Sequence, residues 1–171
     1  MTDVDFFKNQ AKFLHKDFNK GNPNAIARYN NVFVNKDNPS LMNFQHIIAK
    51  EATFNNWNEL ISANEQELAV AKVLYSYPTM CNDGLCLFKD ITTKNSVNEQ
   101  KNKLTQGRRG LLTRSDIIVK VSDILKKYIE YTKTIRSDYN SYKIKHFIEQ
   151  SLYAFGIDEC YLSNGELIVA A

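Results

Sequence analysis

Two residues in the last quarter of the chain, His146 and Glu149, have the types and the spacing of a proton-transfer pair. Side chains three positions apart lie side by side on a helix, so the carboxylate could orient the imidazole for general acid or base catalysis. No nucleophile or third partner is evident beside them. A structural polar cluster of Lys145, His146, Glu149 and Asn164, tying the last long helix to the turn at Asn164, explains the same residues with fewer assumptions. We therefore predict a structural role for these four residues and no catalytic residue.

Histidine and cysteine could instead bind a metal ion, but their spacing does not favour such a site. The three histidines, His15, His46 and His146, each lie on a separate predicted helix beside Phe or Ile. Cys81 and Cys86 are separated by four residues, and no second Cys or His pair follows at the spacing of a zinc finger. An odd count of three cysteines fits a disulfide framework poorly and a reducing compartment well. We expect neither a metal site nor a cofactor.

A run of basic residues in the middle of the chain is the strongest candidate for a surface that binds phosphate. Its members, here called the basic run, are Lys101, Lys103, Arg108, Arg109, Arg114 and Lys120. Gly107 and Gly110 flank the two central arginines, which predicts that both arginines are exposed and mobile. The net charge of +3 is low for a protein that binds nucleic acid mainly through phosphate contacts. The basic run therefore predicts either a modest nucleic-acid interface or a solvated loop before a capped helix.

Residues 45–61 have the pattern of a helix, a three-residue turn and a second helix. This order invites comparison with the helix-turn-helix motif that binds DNA, and Ala49 and Ala52 fit the template. However, Thr53 is not the usual turn glycine, and Leu60 falls one place late for the inward position of the second helix. The segment predicts either such a motif or a plain helical hairpin.

The composition favours a folded, all-α protein. Hydrophobic residues make up 43% of the 171 residues and charged residues 24%, so disorder is not expected. Only three Pro and six Gly are present, which is too few for a turn-rich β-sandwich. No run of about 18 apolar residues marks a membrane span, and residues 1–5 lack the basic and apolar segments of a secretory signal. We expect a cytoplasmic protein that makes no membrane contact.

Helical periodicity predicts how the chain is organised. The cleanest apolar stripe runs from Val4 to Phe18, with a capping-box spacing at Thr2 and Asp5 and a left-handed residue expected at Gly21. Similar patterns predict an orthogonal bundle of about seven to eight helices, in one domain or two small subdomains. The predicted parts are a helical subdomain over residues 1–78, an irregular basic connection over residues 79–110 and a helical subdomain over residues 111–171. The first half of the connection is expected to be a loop, whereas its second half could be helical, because residues 97–100 could begin a helical turn.

Three segments, residues 10–14, 43–51 and 54–60, together form one pattern. In it, a helix of the type Gln-x-x-Ile-Ala is followed by Phe-x-x-Trp and a Leu. In this respect the first 65 residues or so resemble a small bacterial helical domain of the glyoxalase-related family. The resemblance implies three packed helices, with a different turn where Thr53 replaces the family's Gly. Glyoxalase metal sites take His and Glu ligands from a β-sheet, and the sequence shows neither that sheet nor those ligands. We therefore expect a protein that is not an enzyme.

Residues 141–149 and 161–171 resemble uncharacterised bacterial proteins carried by plasmids and phages. Those proteins usually have Gly at the position of Lys143 and tend to continue past the position of Ala171. The resemblance implies an origin in a mobile genetic element and implies no established activity.

Two functions of different classes follow from these observations. The first is a non-catalytic accessory protein of a bacterial mobile element that binds a host or element-encoded protein. The alternative is a modest, sequence-tolerant nucleic-acid-binding protein that uses the basic run from Lys101 to Lys120. A homodimer is compatible with either, because the short C-terminal helix is marginal unless it packs on the body or on a partner.

Overall fold

The computed structural model describes residues 2–33, 39–85, 94–128, 140–154, 157 and 161–171. These residues contain nine helices and one two-stranded hairpin, which confirms the expected all-α class. Contacts divide the chain into two compact units, unit 1 (residues 1–75) and unit 2 (residues 76–171).

Five helices build unit 1. They are α1 (Asp3–Asn19), α2 (Pro23–Asn30), α3 (Leu41–Glu51), α4 (Trp57–Ser62) and α5 (Glu65–Ser76). The most extensive packing is between α1 and α3, and α2 contacts both. Phe7 and Leu14 of α1 are buried, as are Phe44, Ile47 and Ile48 of α3. Each such side chain contributes about 1.5–3 kcal/mol when it leaves water, so this pair of helices forms the core of the unit.

The predicted ends of α1 are confirmed. Thr2 Oγ1 accepts a hydrogen bond from the Asp5 backbone N–H (3.1 Å), and the Asp5 carboxylate accepts one from the Thr2 N–H (3.2 Å). Gly21 has a φ of +75°, and the N–H of Asn22 reaches back to the carbonyl of Asp17. This is the arrangement that closes a helix with a left-handed glycine.

A polar network joins four helices of unit 1. Arg28 of α2 donates to both carboxylate oxygens of Glu51 on α3 and to the hydroxyl of Tyr75 on α5. The Tyr75 hydroxyl in turn donates to Oε1 of Gln10 on α1 at 3.3 Å. Burial raises the pKa of Tyr75, although Arg28 acts in the opposite direction. The phenol therefore keeps the proton that it donates to Gln10.

Thr53 ends α3 in a conformation that favours glycine. Its φ is +80°, its N–H donates to the carbonyl of Lys50, and the N–H of Phe54 donates to that of Ala49. These two bonds define a Schellman motif, whose left-handed position is usually Gly. Thr53 Oγ1 is buried and has no hydrogen-bond partner among the described residues. A β-branched residue thus occupies the position of this Schellman motif that glycine usually takes.

Unit 2 consists of a β-hairpin and four helices. The strands are β1 (Met80–Cys81) and β2 (Gly84–Leu85), and the helices are α6 (Lys94–Thr113), α7 (Ser115–Tyr128), α8 (Ser141–Ala154) and α9 (Asn164–Ala170). Met80 pairs with Leu85 and Cys81 with Gly84 in antiparallel register. The short α9 packs against α7, α8 and β2. It is therefore docked within unit 2.

Helix α6 occupies the second half of the predicted connection over residues 79–110, where the sequence pattern left a helix open. Residues 94–110 belong to this 20-residue helix, and Gly107 and Gly110 do not interrupt it. A Cβ on Gly107 would lie 3.0 Å from Cys81 Cβ, and one on Gly110 would lie 2.8 Å from the Asn82 side chain. Gly107 therefore lets the backbone of the hairpin approach the helix closely, whereas Gly110 faces only the Asn82 side chain.

The start of α9 rests on the same hairpin. The N–H of Gly165 donates to the carbonyl of Asn82 at 2.7 Å, and a Cβ on Gly165 would overlap the carbonyl oxygen of Cys81. Ser163 and Glu166 form the capping box that their spacing predicts. The packing of α9 against the hairpin therefore requires glycine at position 165.

Cys81 is buried and forms a disulfide bond. The expectation of reduced cysteines is therefore wrong for this residue, because an odd count of three prevents complete pairing but allows one bridge. The partner sulfur lies outside the described residues, as do Cys86 and Cys160.

Candidate functional site

Glu149 is the centre of the contacts within the predicted polar cluster. Its Oε2 lies 2.8 Å from Nδ1 of His146, and its Oε1 accepts a hydrogen bond from the Leu162 N–H at 2.9 Å. The ammonium of Lys145 is 3.7 Å from Oε1. Glu149 therefore links α8 to the residues that precede α9.

Lys145 is a buried cation enclosed by rings. Its side chain is 10% exposed, and its Nζ lies 5.4 Å from the ring centroid of Tyr142 and 4.9 Å from that of Tyr161. Cation–π contacts and the Glu149 carboxylate offset the cost of removing the ammonium from water. The charge of Lys145 is thus used inside unit 2.

His146 lies at the edge of the cluster. Its side chain is 47% exposed, and the ring of Tyr142 meets it edge-on with 4.4 Å between centroids. Because Nδ1 faces Glu149, Nε2 is the nitrogen that is free of this contact. Glu149 therefore orients the imidazole, but the ring lies on an open helix surface.

Asn164, the fourth predicted member of the cluster, is placed differently. It is the first residue of α9, and its Oδ1 is buried with no hydrogen-bond partner in the described part of the chain. The buried carboxylate of Glu166 instead pairs with Arg114, and Arg114 donates to the carbonyl of Tyr161 at 2.9 Å. Arg114 and Glu166 therefore hold the segment that carries Tyr161.

The outward side of α8 is aromatic and lacks an exposed carboxylate. Its exposed residues, here called the α8 face, are Tyr142, Lys143, His146, Phe147, Gln150, Tyr153 and Ala154. The three aromatic rings of the α8 face are 58%, 55% and 75% exposed in chain order. At about 100° per residue, the α8 face covers an arc of roughly 140° on the side opposite the fully buried Ile148 and Leu152. Unit 2 thus anchors one side of α8 and leaves the aromatic side uncovered.

Sequence reasoning missed this surface. The apolar residues Tyr142, Phe147, Ile148 and Leu152 indicate a helix, but their apolar identity does not show that Tyr142 and Phe147 are exposed. A helical wheel would have indicated that Phe147 lies away from the buried side of α8, because it is about 100° from Ile148 and further from Leu152. Aromatic residues outside the inward arc indicate a surface that is not part of the core.

The residues of the basic run have different environments. Arg108 is 8% exposed, and its Nη1 donates to the carbonyls of Tyr77 and Pro78 at 3.2 and 3.0 Å. The prediction of an exposed, mobile Arg108 is therefore wrong, because its flanking glycines lie within α6 against the hairpin. Arg114 is paired with Glu166. The members of the basic run that are exposed are Lys101, Lys103, Arg109 and Lys120.

The segment compared with a helix-turn-helix differs from that motif in its dimensions. Five residues, 52–56, separate α3 from α4, and α4 has only six residues. Asn56 caps α4 by accepting the Glu59 N–H at 2.9 Å, and Leu60 is buried. Fewer than two turns leave no helix long enough to lie along a DNA groove, so residues 45–61 are a plain helical hairpin.

Within the described ranges, no three His, Cys, Asp or Glu side chains are grouped to hold a metal ion. None of the described helices is long and apolar enough to cross a membrane. Comparison with protein-family models, with curated proteins and with solved structures found no match.

Proposed function

We propose that this chain is a non-catalytic accessory protein of a bacterial mobile element and that it acts by binding another protein through the α8 face. The observation that carries the proposal is the exposure of Tyr142, Phe147 and Tyr153 on one helix. Aromatic residues are enriched at the centres of protein interfaces, where charged residues are depleted. The mobile-element part of the proposal rests on the resemblance of residues 141–149 and 161–171.

The contacts behind the α8 face support a binding role, because they fix the helix before a partner arrives. Ile148 and Leu152 are fully buried, Glu149 bonds to Leu162, and Lys145 is held by two rings. A surface that is already ordered loses less conformational entropy on association.

The environment of His146 supports binding more than catalysis. Its carboxylate partner Glu149 also accepts the Leu162 N–H and contacts Lys145, so this carboxylate is committed to holding α8 in place. General acid–base catalysis is most effective in a site that excludes water. A half-exposed imidazole on an open helix surface does not provide such a site.

A quantitative co-purification experiment tests this function. The full chain is compared with the double variant Phe147→Ser/Tyr153→Ser and with the control Phe13→Ser/Met42→Ser, whose residues are exposed on unit 1. We expect a bacterial protein whose recovery falls about tenfold or more for the α8 variant alone, since interface aromatics commonly contribute 2 kcal/mol or more. Equal recovery with all three proteins would contradict the proposal.

A nucleic-acid role for the basic run is the second candidate, favoured by the distribution of charge. Unit 2 carries 14 of the 22 Lys and Arg residues but only 11 of the 19 Asp and Glu residues. Lys120 and Lys127 also line an open depression of about 270 Å³, together with the carboxylate of Asp123. A salt titration with short duplex DNA tests this role on Lys101→Glu/Lys103→Glu, because Arg108 and Arg114 support the fold. Weak binding of duplex DNA that is unchanged in this variant would exclude a nucleic-acid role for the basic run.

A further inference from the structure

We infer that the disulfide bond at Cys81 is a redox-sensitive switch, which holds α9 on the hairpin when it is oxidised and releases α9 when it is reduced. The reductant is a thiol or dithiol. It donates two electrons and two protons to the two cysteine sulfurs and itself becomes a disulfide. The inference concerns the fold of unit 2 and does not depend on what the α8 face binds.

The bridge lies where two helices meet the hairpin. Cys81 is 3% exposed and is the last residue of β1. A Cβ on Gly107 of α6 would lie 3.0 Å from Cys81 Cβ, and a Cβ on Gly165 of α9 would overlap the Cys81 carbonyl oxygen. The bridge therefore restrains the stretch of backbone against which both α6 and α9 pack.

The hairpin is too short to hold its shape without other restraints. β1 and β2 have two residues each, and an isolated two-stranded hairpin is at best marginally stable in water. Leu85, at the end of β2, is 58% exposed and adds little to the core. Nη1 of Arg108 donates to the carbonyls of Tyr77 and Pro78, which fixes the chain that enters β1. Reduction should therefore loosen the turn and β2 more than the start of β1.

Helix α9 depends on the hairpin in turn. It has seven residues, and a helix of about two turns is marginal unless it is docked. The Gly165 N–H donates to the carbonyl of Asn82 at 2.7 Å. The side chain of Ile168 lies over Gly84, where an added Cβ would be 3.2 Å from Ile168 Cδ1. Loosening the hairpin therefore removes a support that this short helix needs.

The same restraint follows from either cysteine that could supply the second sulfur. Cys86 comes directly after Leu85, and Cys160 comes three residues before Ser163, the N-cap of α9. A bond to Cys86 would close a loop across the hairpin turn, whereas a bond to Cys160 would tie β1 to the chain that leads into α9. In both cases the cross-link removes conformational entropy from the opened state and so favours the docked one.

Hydrogen–deuterium exchange measured by mass spectrometry tests the switch on the full chain. One sample keeps the bridge. The other is reduced in denaturant and refolded with a dithiol present, so that the burial of Cys81 does not limit its reduction. We expect the amides of α9 to exchange at least about tenfold faster in the reduced chain. The amides of α1 and α3 should exchange equally in both samples, because all three cysteines belong to unit 2.

The variant Cys81→Ala separates the loss of the bridge from other effects of the dithiol. It keeps the Cβ that faces Gly107 and removes the sulfur. Its α9 should exchange as fast as that of the reduced wild type, with or without the dithiol. Equal exchange of α9 in the oxidised and reduced wild-type chains would overturn the inference. An equal acceleration in α1 and α3 would also overturn it, because reduction would then unfold the whole chain instead of releasing one helix.

Discussion

Thr53 adopts a backbone conformation that a β-branched residue rarely takes. At a φ of +80° its Cβ crowds the backbone, and its buried hydroxyl has no partner among the described residues. Thr53→Gly should raise the free energy of unfolding by about 1 kcal/mol, since a left-handed conformation costs a non-glycine residue about 1–2 kcal/mol. Chemical denaturation measures this change. Thr53→Ala is the control, because it removes the hydroxyl and keeps most of the backbone cost, and a destabilising Thr53→Gly would contradict the account.

His46 predicts a pH dependence of the stability of unit 1. Burial, and to a lesser degree Lys50, holds the pKa of His46 below its usual value of 6.5. The unfolded chain therefore binds this proton at a higher pH than the folded chain does, so the associated stability is present above about pH 6.5 and is lost as the pH falls through the lower pKa of the folded state. We expect wild type to lose more stability than His46→Gln when the pH falls from about 7.5 to 5.5. Parallel pH profiles would show that His46 is not responsible.

The accuracy of prediction at single residues depends on how far away their partners lie in the chain. Thr2 with Asp5 and Ser163 with Glu166 were predictable because a capping box spans three residues. Arg108 bonds to carbonyls that lie 30 and 31 residues away. No local pattern reports such a contact, and the flanking glycines suggested mobility instead.

At the scale of elements, the packing of α9 on the hairpin depends on Gly165. Gly165→Ala should displace the start of α9, because its Cβ would overlap the carbonyl oxygen of Cys81. The expected result is faster amide exchange at Leu167 and a loss of several kcal/mol of stability, as for other steric clashes in packed interiors. Gly110→Ala is the matched control, since its Cβ meets only the end of the Asn82 side chain. Equal effects of the two substitutions would argue against this packing.

Helix boundaries were predictable where apolar periodicity and caps agree, as they do in α1. They were less predictable in α6, where residues 97–100 allowed a helix to begin but the glycines and polar residues that follow indicate a loop by composition. That helix is held by contacts with β1 and α7, which only the folded chain brings together. The outward direction of Tyr142 and Phe147 was missed for a related reason, because apolar identity alone does not show which arc of a helix is covered.

At the scale of the whole molecule, the cysteines test the fold of unit 2. One bridge at Cys81 leaves a single free thiol among the three cysteines. Alkylation of the denatured chain without reductant should therefore add one label, and alkylation after reduction should add three. Intact-mass measurement distinguishes the two cases. Three labels before reduction would show that the bridge is absent.

The two units differ in what their surfaces offer. Unit 1 has equal numbers of basic and acidic residues, eight of each, whereas the positive excess of the chain lies in unit 2 together with the α8 face. Composition predicted a folded all-α protein but not the exposure of the α8 face, because the exposure of an aromatic residue depends on tertiary packing.

Site-specific photo-crosslinking tests the central claim, that the α8 face binds a protein, most directly. A photoreactive phenylalanine analogue is placed at Tyr153 in one chain and at Phe13 of unit 1 in another, both of which are exposed positions. After irradiation in bacteria, we expect a discrete crosslinked protein with the probe at Tyr153 and none with the probe at Phe13. Identical crosslinks at both positions, or none at Tyr153, would contradict the claim.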